Sequence, residues 1–274
     1  MHKFVGFIQA SHAAPTGAVT IVFTIFAWTL GWRNWELAGV FLAVLIGQLS
    51  VGWSNDAFDA SLDQRSNRLQ KPTIAYALQP SSLWIAAFVA LSTSCALSWI
   101  VAGWVGGTFH VFALSMAWVY NTVLSRTWWS WLPYALAFGA IPAFLSYGLN
   151  NQSPQLWMIA IFAIVGVSAH IANAIPDIES DKAAGLQGFV IIMGLRKATG
   201  ICWALLGAGT LILAMVTSAS SYWIPLLLTG TLLCAVGYSW KSPRRDAMFS
   251  AILAVVIIEV VVLLIATTQQ SSGG

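Results

Sequence analysis

Apolar stretches long enough to cross a membrane recur along the whole chain, separated by polar segments. A helix of about 20 residues spans the apolar core of a bilayer, which is roughly 30 Å thick. The pattern predicts nine such helices, at about 15–32, 35–53, 82–103, 108–124, 131–149, 156–175, 199–218, 223–240 and 247–266. We therefore expect an all-α polytopic membrane protein with nine transmembrane helices in one bundle.

The composition supports this fold class. Hydrophobic residues make up 58% of the 274 residues and charged residues only 8%, whereas soluble domains carry about 25% charged residues. The fifteen Trp residues often fall near the ends of the predicted helices, as interfacial anchors do. We expect a single transmembrane domain over residues 1–268 and a short disordered tail at 269–274.

The basic residues predict the orientation of the helices. If the N-terminus lies inside, eleven of the twelve Lys and Arg residues fall in cytoplasmic segments and only Arg33 lies outside. This is the bias of a multi-pass protein, because cytoplasmic loops are enriched in Lys and Arg. We expect a bacterial cell membrane as the location, with a cytoplasmic N-terminus and an external C-terminus. The net charge of +3 then reflects topology and does not indicate nucleic-acid binding.

Six of the nine acidic residues lie in two short segments, 55–63 and 177–181, and each segment follows an even-numbered predicted helix. Helix positions four apart share a face. One stripe would therefore contain Asn55, Asp59 and Asp63, and a second would contain Asp177 and Asp181. Two such stripes at the same membrane depth predict a site for a hard divalent cation such as Mg²⁺, which takes a few carboxylates together with phosphate oxygens.

Basic residues follow both acidic segments. Arg65, Arg68 and Lys71 come after the first, and Lys182, Arg196 and Lys197 come after the second. Carboxylates interleaved with cations suit a pyrophosphate that is bound by Mg²⁺ on one side and by Arg or Lys on the other. The alternative is that these cations are ordinary solvated loop charges, and it stays open for the three cations of the second group.

The two acidic motifs resemble those of the UbiA superfamily of intramembrane prenyltransferases. The first reads Asn-Asp-x-x-Asp-x-x-x-Asp at 55–63, followed by Lys-Pro at 71–72. The second reads Ile-Pro-Asp-x-Glu-x-Asp-x-x-x-Gly at 175–185. The resemblance covers most of the chain and implies a nine-helix fold. The family often has Arg-Pro where this chain has Lys71-Pro72, and a Lys where Ser125 precedes Arg126.

The resemblance also implies roles for individual residues. Two Mg²⁺ ions would be bound with the diphosphate, the first by Asn55, Asp59 and Asp63 and the second by Asp177 and Asp181. The four aspartates of this set would be the catalytic residues. The diphosphate would be held by Arg68, Lys71, Arg126 and Lys182, with Arg126 taking over the contact usually made by the missing Lys.

The expected activity is transfer of an isoprenyl group from an isoprenyl diphosphate to a lipophilic or aromatic acceptor, as in quinone biosynthesis. Two alternatives with the same metal site are a UbiA-type terpene cyclase and a prenyltransferase for a non-aromatic acceptor. An ion-coupled transporter is a third alternative, but its acids would lie near the bilayer midplane. The acids of this chain lie at one membrane interface, beside cations suited to phosphate. The expected partners are the diphosphate, the acceptor and membrane lipids.

Several polar residues fall within or at the ends of the predicted helices. Those expected to line the acceptor pocket are Tyr120, Asn121, His170 and Asn173. His170 could instead be an interhelical hydrogen-bonding residue, and Asn173 could extend the stripe of Asp177. Glu259 lies within an aliphatic stretch, where a buried acid is costly. It is interpreted either as a polar group of the cavity or, preferably, as a protonated carboxyl bonded to a neighbouring helix. Packing roles are expected for His12 and Gln48.

Overall fold

The fold is described from a computed structural model, which covers residues 2–66, 68–183, 185–216, 230–232, 234–236, 251–252 and 254–262. Every regular element in this part of the chain is helical, as the apolar pattern predicts. The α-helices are α1 (His2–Ala10), α2 (Ala13–Leu30), α3 (Asn34–Arg65), α4 (Pro72–Ala75), α5 (Pro80–Val119), α6 (Leu132–Gly139), α7 (Ile141–Asn150), α8 (Leu156–Ala174), α9 (Ile178–Ala183) and α10 (Phe189–Val216).

Two shorter helices of other types connect α5 to α6. A π-helix spans Tyr120–Leu124, and a 3₁₀-helix spans Trp128–Trp131. The short segments 230–232, 234–236, 251–252 and 254–262 are also helical.

Six segments of the described chain are long and apolar enough to cross a membrane: Ala13–Leu30, Asn34–Arg65, Pro80–Leu124, Trp128–Asn150, Leu156–Ala174 and Phe189–Val216. They coincide with seven of the nine predicted helices, because the third segment contains two of them. Only parts of the predicted helices 223–240 and 247–266 lie within the described residues, namely 230–232, 234–236, 251–252 and 254–262. The count of nine therefore stays a prediction.

The third segment is a hairpin of two helical arms. A straight helix of its 45 residues would be roughly 68 Å long, about twice the apolar thickness of a bilayer. Gly103 interrupts it with a φ of 65° and a ψ of −177°, a conformation that favours glycine. Beyond this turn the chain folds back, since Ser98 Oγ and His110 Nδ1 lie 2.6 Å apart and the rings of Phe88 and Trp118 lie 5.0 Å apart. The arms correspond to the predicted helices 82–103 and 108–124.

α3 continues well beyond its membrane-spanning stretch. The predicted helix ends near residue 53, but the observed helix runs to Arg65 and includes the whole first acidic segment. The extra twelve residues add roughly 18 Å of helix. The first acidic segment is therefore held on a rigid helix rather than in a loop.

The chain forms two compact units. The first contains Met1–Val123 and Ala143–Ser153, and the second contains Leu124–Pro142 and Pro154–Gly274. In the first unit α3 packs on α2 and on α5, and the buried indole of Trp32 donates from Nε1 to the carbonyl oxygen of Leu145 at 3.1 Å. In the second unit α8 packs on α6 and α10. The single domain over 1–268 stays a prediction, and the tail at 269–274 lies outside the described residues.

Candidate active site

The first acidic stripe lies on one face of α3, as the spacing predicts. Asn55, Asp59 and Asp63 follow one another at intervals of four in continuous α-helix. Asn55 and Asp59 are half-buried, whereas Asp63 is fully buried. The stripe thus runs from partly solvated side chains to a carboxyl that water does not reach.

Asp63 is a buried carboxyl that receives little electrostatic stabilisation from the described residues around it. It is 0% exposed, and neither of its oxygens has a hydrogen-bond partner in the described part of the chain. Arg68 Nη1 lies 3.6 Å from Oδ1, which is an ion pair at long range. A buried carboxylate without hydrogen bonds is costly. The environment of Asp63 therefore fits a bound cation that would bring in the missing charge.

The described residues contain no group of three or more His, Cys, Asp or Glu side chains placed to hold a metal by themselves. Mg²⁺ in proteins usually binds one or two carboxylates and completes its shell with water and substrate phosphates. The first acidic segment can therefore supply part of a coordination shell, and the rest would come with a diphosphate.

Asp56 is a further buried acid of this region, and the predicted stripe of Asn55, Asp59 and Asp63 does not include it. It is 1% exposed, and its Oδ1 accepts a hydrogen bond from Lys71 Nζ at 2.8 Å. Burial would lower the pKa of Lys71, but the carboxylates, first Asp56 and then Asp63 and Asp59, outweigh it and raise this pKa. Lys71 is therefore a stable cation at neutral pH, held beside the acidic segment.

His12 reaches the same carboxylate from another part of the chain. Its Nε2 lies 3.3 Å from Asp56 Oδ1. The residue forms the elbow between α1 and α2, with a φ of 50°. The elbow approaches α3 closely at Gly52, where a Cβ atom would lie 2.8 Å from the carbonyl oxygen of Ser11. The expectation of a packing role for His12 therefore missed one contact, the one to the buried carboxylate of Asp56.

Tyr120 and Asn121 begin the π-helix that ends the second arm of the hairpin. π-helical turns occur frequently at functional sites. Asn121 is buried, and its Nδ2 donates to the carbonyl oxygen of Val51 and to Ser54 Oγ, both at 2.9 Å. The amide of Asn121 therefore ties the π-helix to α3 just before the acidic segment. Its role in an acceptor pocket stays a prediction.

The second acidic motif lies at the start of α9, in the second unit. Asp177 precedes the helix and Asp181 lies in its first turns, and the Asp181 backbone N–H donates to the Asp177 carbonyl oxygen at 2.9 Å. Asp177 and Lys182 are exposed and Asp181 is half-buried. Asn173 lies on α8, which ends at Ala174, so the regular helix does not continue from Asn173 to Asp181. The joint action of the two acidic motifs stays a prediction.

His170 and Arg126 also belong to the second unit. His170 is buried on α8, and its Nε2 lies 3.1 Å from Ser130 Oγ on the 3₁₀-helix. Ser130 Oγ also accepts from the Phe189 backbone N–H at 3.0 Å. This supports the interhelical alternative for His170, and Ser130 is the partner that sequence reasoning missed. Arg126 is half-buried in the connection before the 3₁₀-helix.

Glu259 lies buried beside a neighbouring helix. The side chain is completely buried, and its Oε1 accepts a hydrogen bond from Thr210 Oγ1 of α10 at 3.0 Å. Bonding to a neighbouring helix is thus confirmed.

Solved structures with a similar fold cover nearly the whole chain. A UbiA homologue from Archaeoglobus fulgidus bound to GPP and Mg²⁺ has a TM-score of 0.72 at 14% identity, covering 96% of this chain and 99% of the homologue. An apo UbiA homologue from Aeropyrum pernix K1 has a TM-score of 0.72 at 15% identity, with coverages of 90% and 98%. A structure of digeranylgeranylglyceryl phosphate synthase has a TM-score of 0.71 at 12% identity, with coverages of 98% and 100%. At these identities the likeness shows the fold alone.

Comparison at the level of sequence identifies the family. No curated protein sequence gave a significant match to this chain. The model of the UbiA prenyltransferase family, however, matches residues 17–263, which is most of the chain. The match includes both acidic motifs and confirms the resemblance on which the expectations rest. The chain is an integral membrane protein, and it belongs to the UbiA prenyltransferase family.

Proposed function

We propose that the protein is a Mg²⁺-dependent intramembrane prenyltransferase that moves an isoprenyl group from an isoprenyl diphosphate to a lipophilic or aromatic acceptor, as in quinone biosynthesis. The observation that carries this proposal is the buried carboxyl of Asp63, which has no hydrogen-bond partner among the described residues. Two cations lie close to the acidic segment, Arg68 at Asp63 and Lys71 at Asp56. This combination suits a metal-bound diphosphate. The homologue bound to GPP and Mg²⁺ supports the same class of donor.

The bond changes define what the side chains must do. The allylic C–O bond of the donor breaks, and its electron pair leaves with the pyrophosphate. A bond then forms from the acceptor to the allylic carbon, and the acceptor loses a proton to the released pyrophosphate or to solvent. Negative charge therefore grows on the diphosphate oxygens, and groups placed to stabilise that charge accelerate the reaction.

The residues of the first unit are suited to this task. Asn55, Asp59 and Asp63 would bind the first Mg²⁺, which neutralises the leaving group when it is bound. Arg68 and Lys71 would donate hydrogen bonds to the diphosphate oxygens. Because both cations are fixed beside carboxylates before substrate arrives, they need little rearrangement when charge develops.

Residues of the second unit complete the proposal. Asp177 and Asp181 would bind a second Mg²⁺, and Arg126 and Lys182 would add diphosphate contacts. The candidate acceptor-pocket residues would be Tyr120 and Asn121 from the first unit and His170 and Asn173 from the second. Aromatic side chains of the membrane-spanning segments would exclude water and stabilise the allylic cation through their ring faces.

The test is Mg²⁺-dependent turnover by the protein purified in detergent. Isoprenyl diphosphates of several chain lengths, geranyl diphosphate among them, would be incubated with phenolic and lipid acceptors. Pyrophosphate release and prenylated products would be measured by a coupled assay and mass spectrometry. We expect pyrophosphate release that EDTA abolishes.

Asp63→Asn should reduce pyrophosphate release at least about a hundredfold. Glu36→Gln, at the opposite end of α3 and exposed, should leave it unchanged. Absence of Mg²⁺-dependent release with every donor and acceptor would refute the proposal, and a cyclised hydrocarbon without acceptor would identify a terpene cyclase.

A further inference from the structure

Asp56 differs from the other acids of its segment in the side chains that it contacts. It lies one helical turn after Gly52 on α3, on the face against which the α1–α2 elbow packs. Asp59 and Asp63 follow Asp56 by three and seven residues and therefore lie near the same face of the helix, whereas Asn55 lies further round it. Asp56 Oδ1 is occupied by Lys71 and His12, and its Oδ2 is buried without a hydrogen-bond partner among the described residues. The two contacts of its Oδ1 atom therefore make Asp56 suited to anchor the side chains of Lys71 and His12.

Lys71 is a side chain that needs such an anchor. An ammonium on a flexible four-carbon stem has no preferred geometry of its own, in contrast to the planar fork of Arg. Lys71 follows the end of α3 and comes directly before α4. Among the described residues, the one hydrogen bond of its ammonium goes to Asp56 Oδ1. An ammonium has three N–H donors. One can remain on Asp56 while the others bind an anion.

We propose that Asp56 is a positioning residue, which holds the Lys71 ammonium in place for the diphosphate of the donor. His12 fastens the α1–α2 elbow to the same carboxylate and so helps to enclose it. This inference rests on the proposed function, in which Lys71 contacts the diphosphate. It adds a residue outside the predicted stripe, whose effect on the reaction passes through Lys71.

A double-mutant cycle tests whether Asp56 acts through Lys71. The binding of inorganic pyrophosphate in the presence of Mg²⁺ would be measured by calorimetry for the wild type, Asp56→Asn, Lys71→Met and the double variant. Each single variant should weaken binding roughly tenfold or more, since charge-assisted hydrogen bonds are lost. The double variant should bind no more weakly than Lys71→Met, because residues that act as one unit are not additive.

Controls separate this effect from general damage. Ser50→Ala removes a buried hydroxyl of the same helix that accepts from Trp118 Nε1, and it should leave pyrophosphate binding unchanged. Steady-state kinetics should show a raised KM for geranyl diphosphate in Asp56→Asn with an unchanged KM for the acceptor. Asp56→Glu, which keeps the charge, should recover part of the loss.

A second readout does not depend on turnover. Acetic anhydride labels neutral amines, and Lys71 labelling would be compared by mass spectrometry with labelling of the exposed Lys182 in the same sample. Loss of the Asp56 carboxylate lowers the pKa of Lys71, so the ratio of Lys71 to Lys182 labelling should rise at least about threefold in Asp56→Asn near pH 8.

The outcomes are distinguishable. A wild type that binds no pyrophosphate with Mg²⁺ would refute the proposed function and this inference with it. Binding by the wild type with additive losses in the cycle would overturn the inference alone, as would a labelling ratio unchanged by Asp56→Asn.

Discussion

Replacing Asp63 with Asn should stabilise the metal-free protein while it removes activity. The carboxyl is 0% exposed and its oxygens lack hydrogen bonds in the described structure. Leaving a polar group buried and unsatisfied costs about 1–3 kcal/mol, and more when it is charged. The pair with Arg68 is long, at 3.6 Å with a partly exposed partner, so we discount its contribution to at most about 1 kcal/mol. Because the neutral, nearly isosteric amide would itself lack hydrogen-bond partners, it avoids only the extra cost of the charge, and the net gain is at most about 2 kcal/mol.

This gain corresponds to a rise of up to about 8 °C in the thermal unfolding midpoint, at about 2–4 °C per kcal/mol for a chain of this size. Unfolding would be followed by tryptophan fluorescence in detergent with EDTA. A second scan with Mg²⁺ and pyrophosphate should then raise the midpoint of the wild type but not that of Asp63→Asn, because ligand stabilises only the form that binds it.

The matched control is Glu36→Gln. This exposed acid lies in the first turn of α3, where a carboxylate favours the helix dipole. Its neutralisation should lower the midpoint slightly, in the opposite direction. A lower midpoint for Asp63→Asn in EDTA, or a ligand-induced rise equal to that of the wild type, would refute the argument that Asp63 is kept for a cation.

Other substitutions and fusions test separate parts of the structure. Gly52→Ala should lower the unfolding midpoint by several degrees, because its Cβ would meet the backbone of the α1–α2 elbow at 2.8 Å, and overpacking costs about 1–3 kcal/mol. Gly17→Ala, where a Cβ meets nothing within 4 Å, should leave the midpoint equal or higher. Asp59→Ala and Asp181→Ala should each reduce turnover at least about a hundredfold, and the double variant should be far less than additive if the motifs act on one diphosphate. Reporter fusions after residues 69 and 188 should be cytoplasmic and a fusion after 274 external, and a cytoplasmic C-terminus would contradict the nine-helix topology.

The helical fold follows from the sequence because a bilayer imposes one length on every spanning helix. The hairpin that contains α5 shows the strength of this rule, since the apolar stretch was too long for one spanning helix and two were predicted, 82–103 and 108–124, where the backbone turns at Gly103. The rule says less about where a helix continues outside the membrane. The extension of α3 to Arg65 depends on tertiary contacts of Asp56, Asp63 and the following loop.

The sequence predicted the part of the candidate site that is built from residues close together in the chain, but not the contacts between distant residues. A spacing of four residues places Asn55, Asp59 and Asp63 on one face without any knowledge of the tertiary structure. The contact from His12 to Asp56 joins residues 44 positions apart, and the contact from Ser130 to His170 joins residues 40 positions apart. Pairs of this kind leave no periodic signal, and a lone polar residue in an apolar chain is most simply interpreted as a packing residue.

The use of Lys at position 71 is explained by its neighbours. The resemblance to the family implies an Arg before Pro72, and an Arg presents a rigid, planar set of donors to a phosphate. A Lys at this position has the charge without the fixed geometry. In this chain the buried Asp56 restricts the Lys71 ammonium at 2.8 Å, and the elbow at His12 covers the same carboxylate. An Arg would have a fixed donor geometry of its own. Here three segments together fix the position of the Lys71 ammonium: α3, the loop after it and the α1–α2 elbow. Such an arrangement makes the site sensitive to changes at Gly52 and His12, residues that contact neither the stripe nor a diphosphate in this proposal.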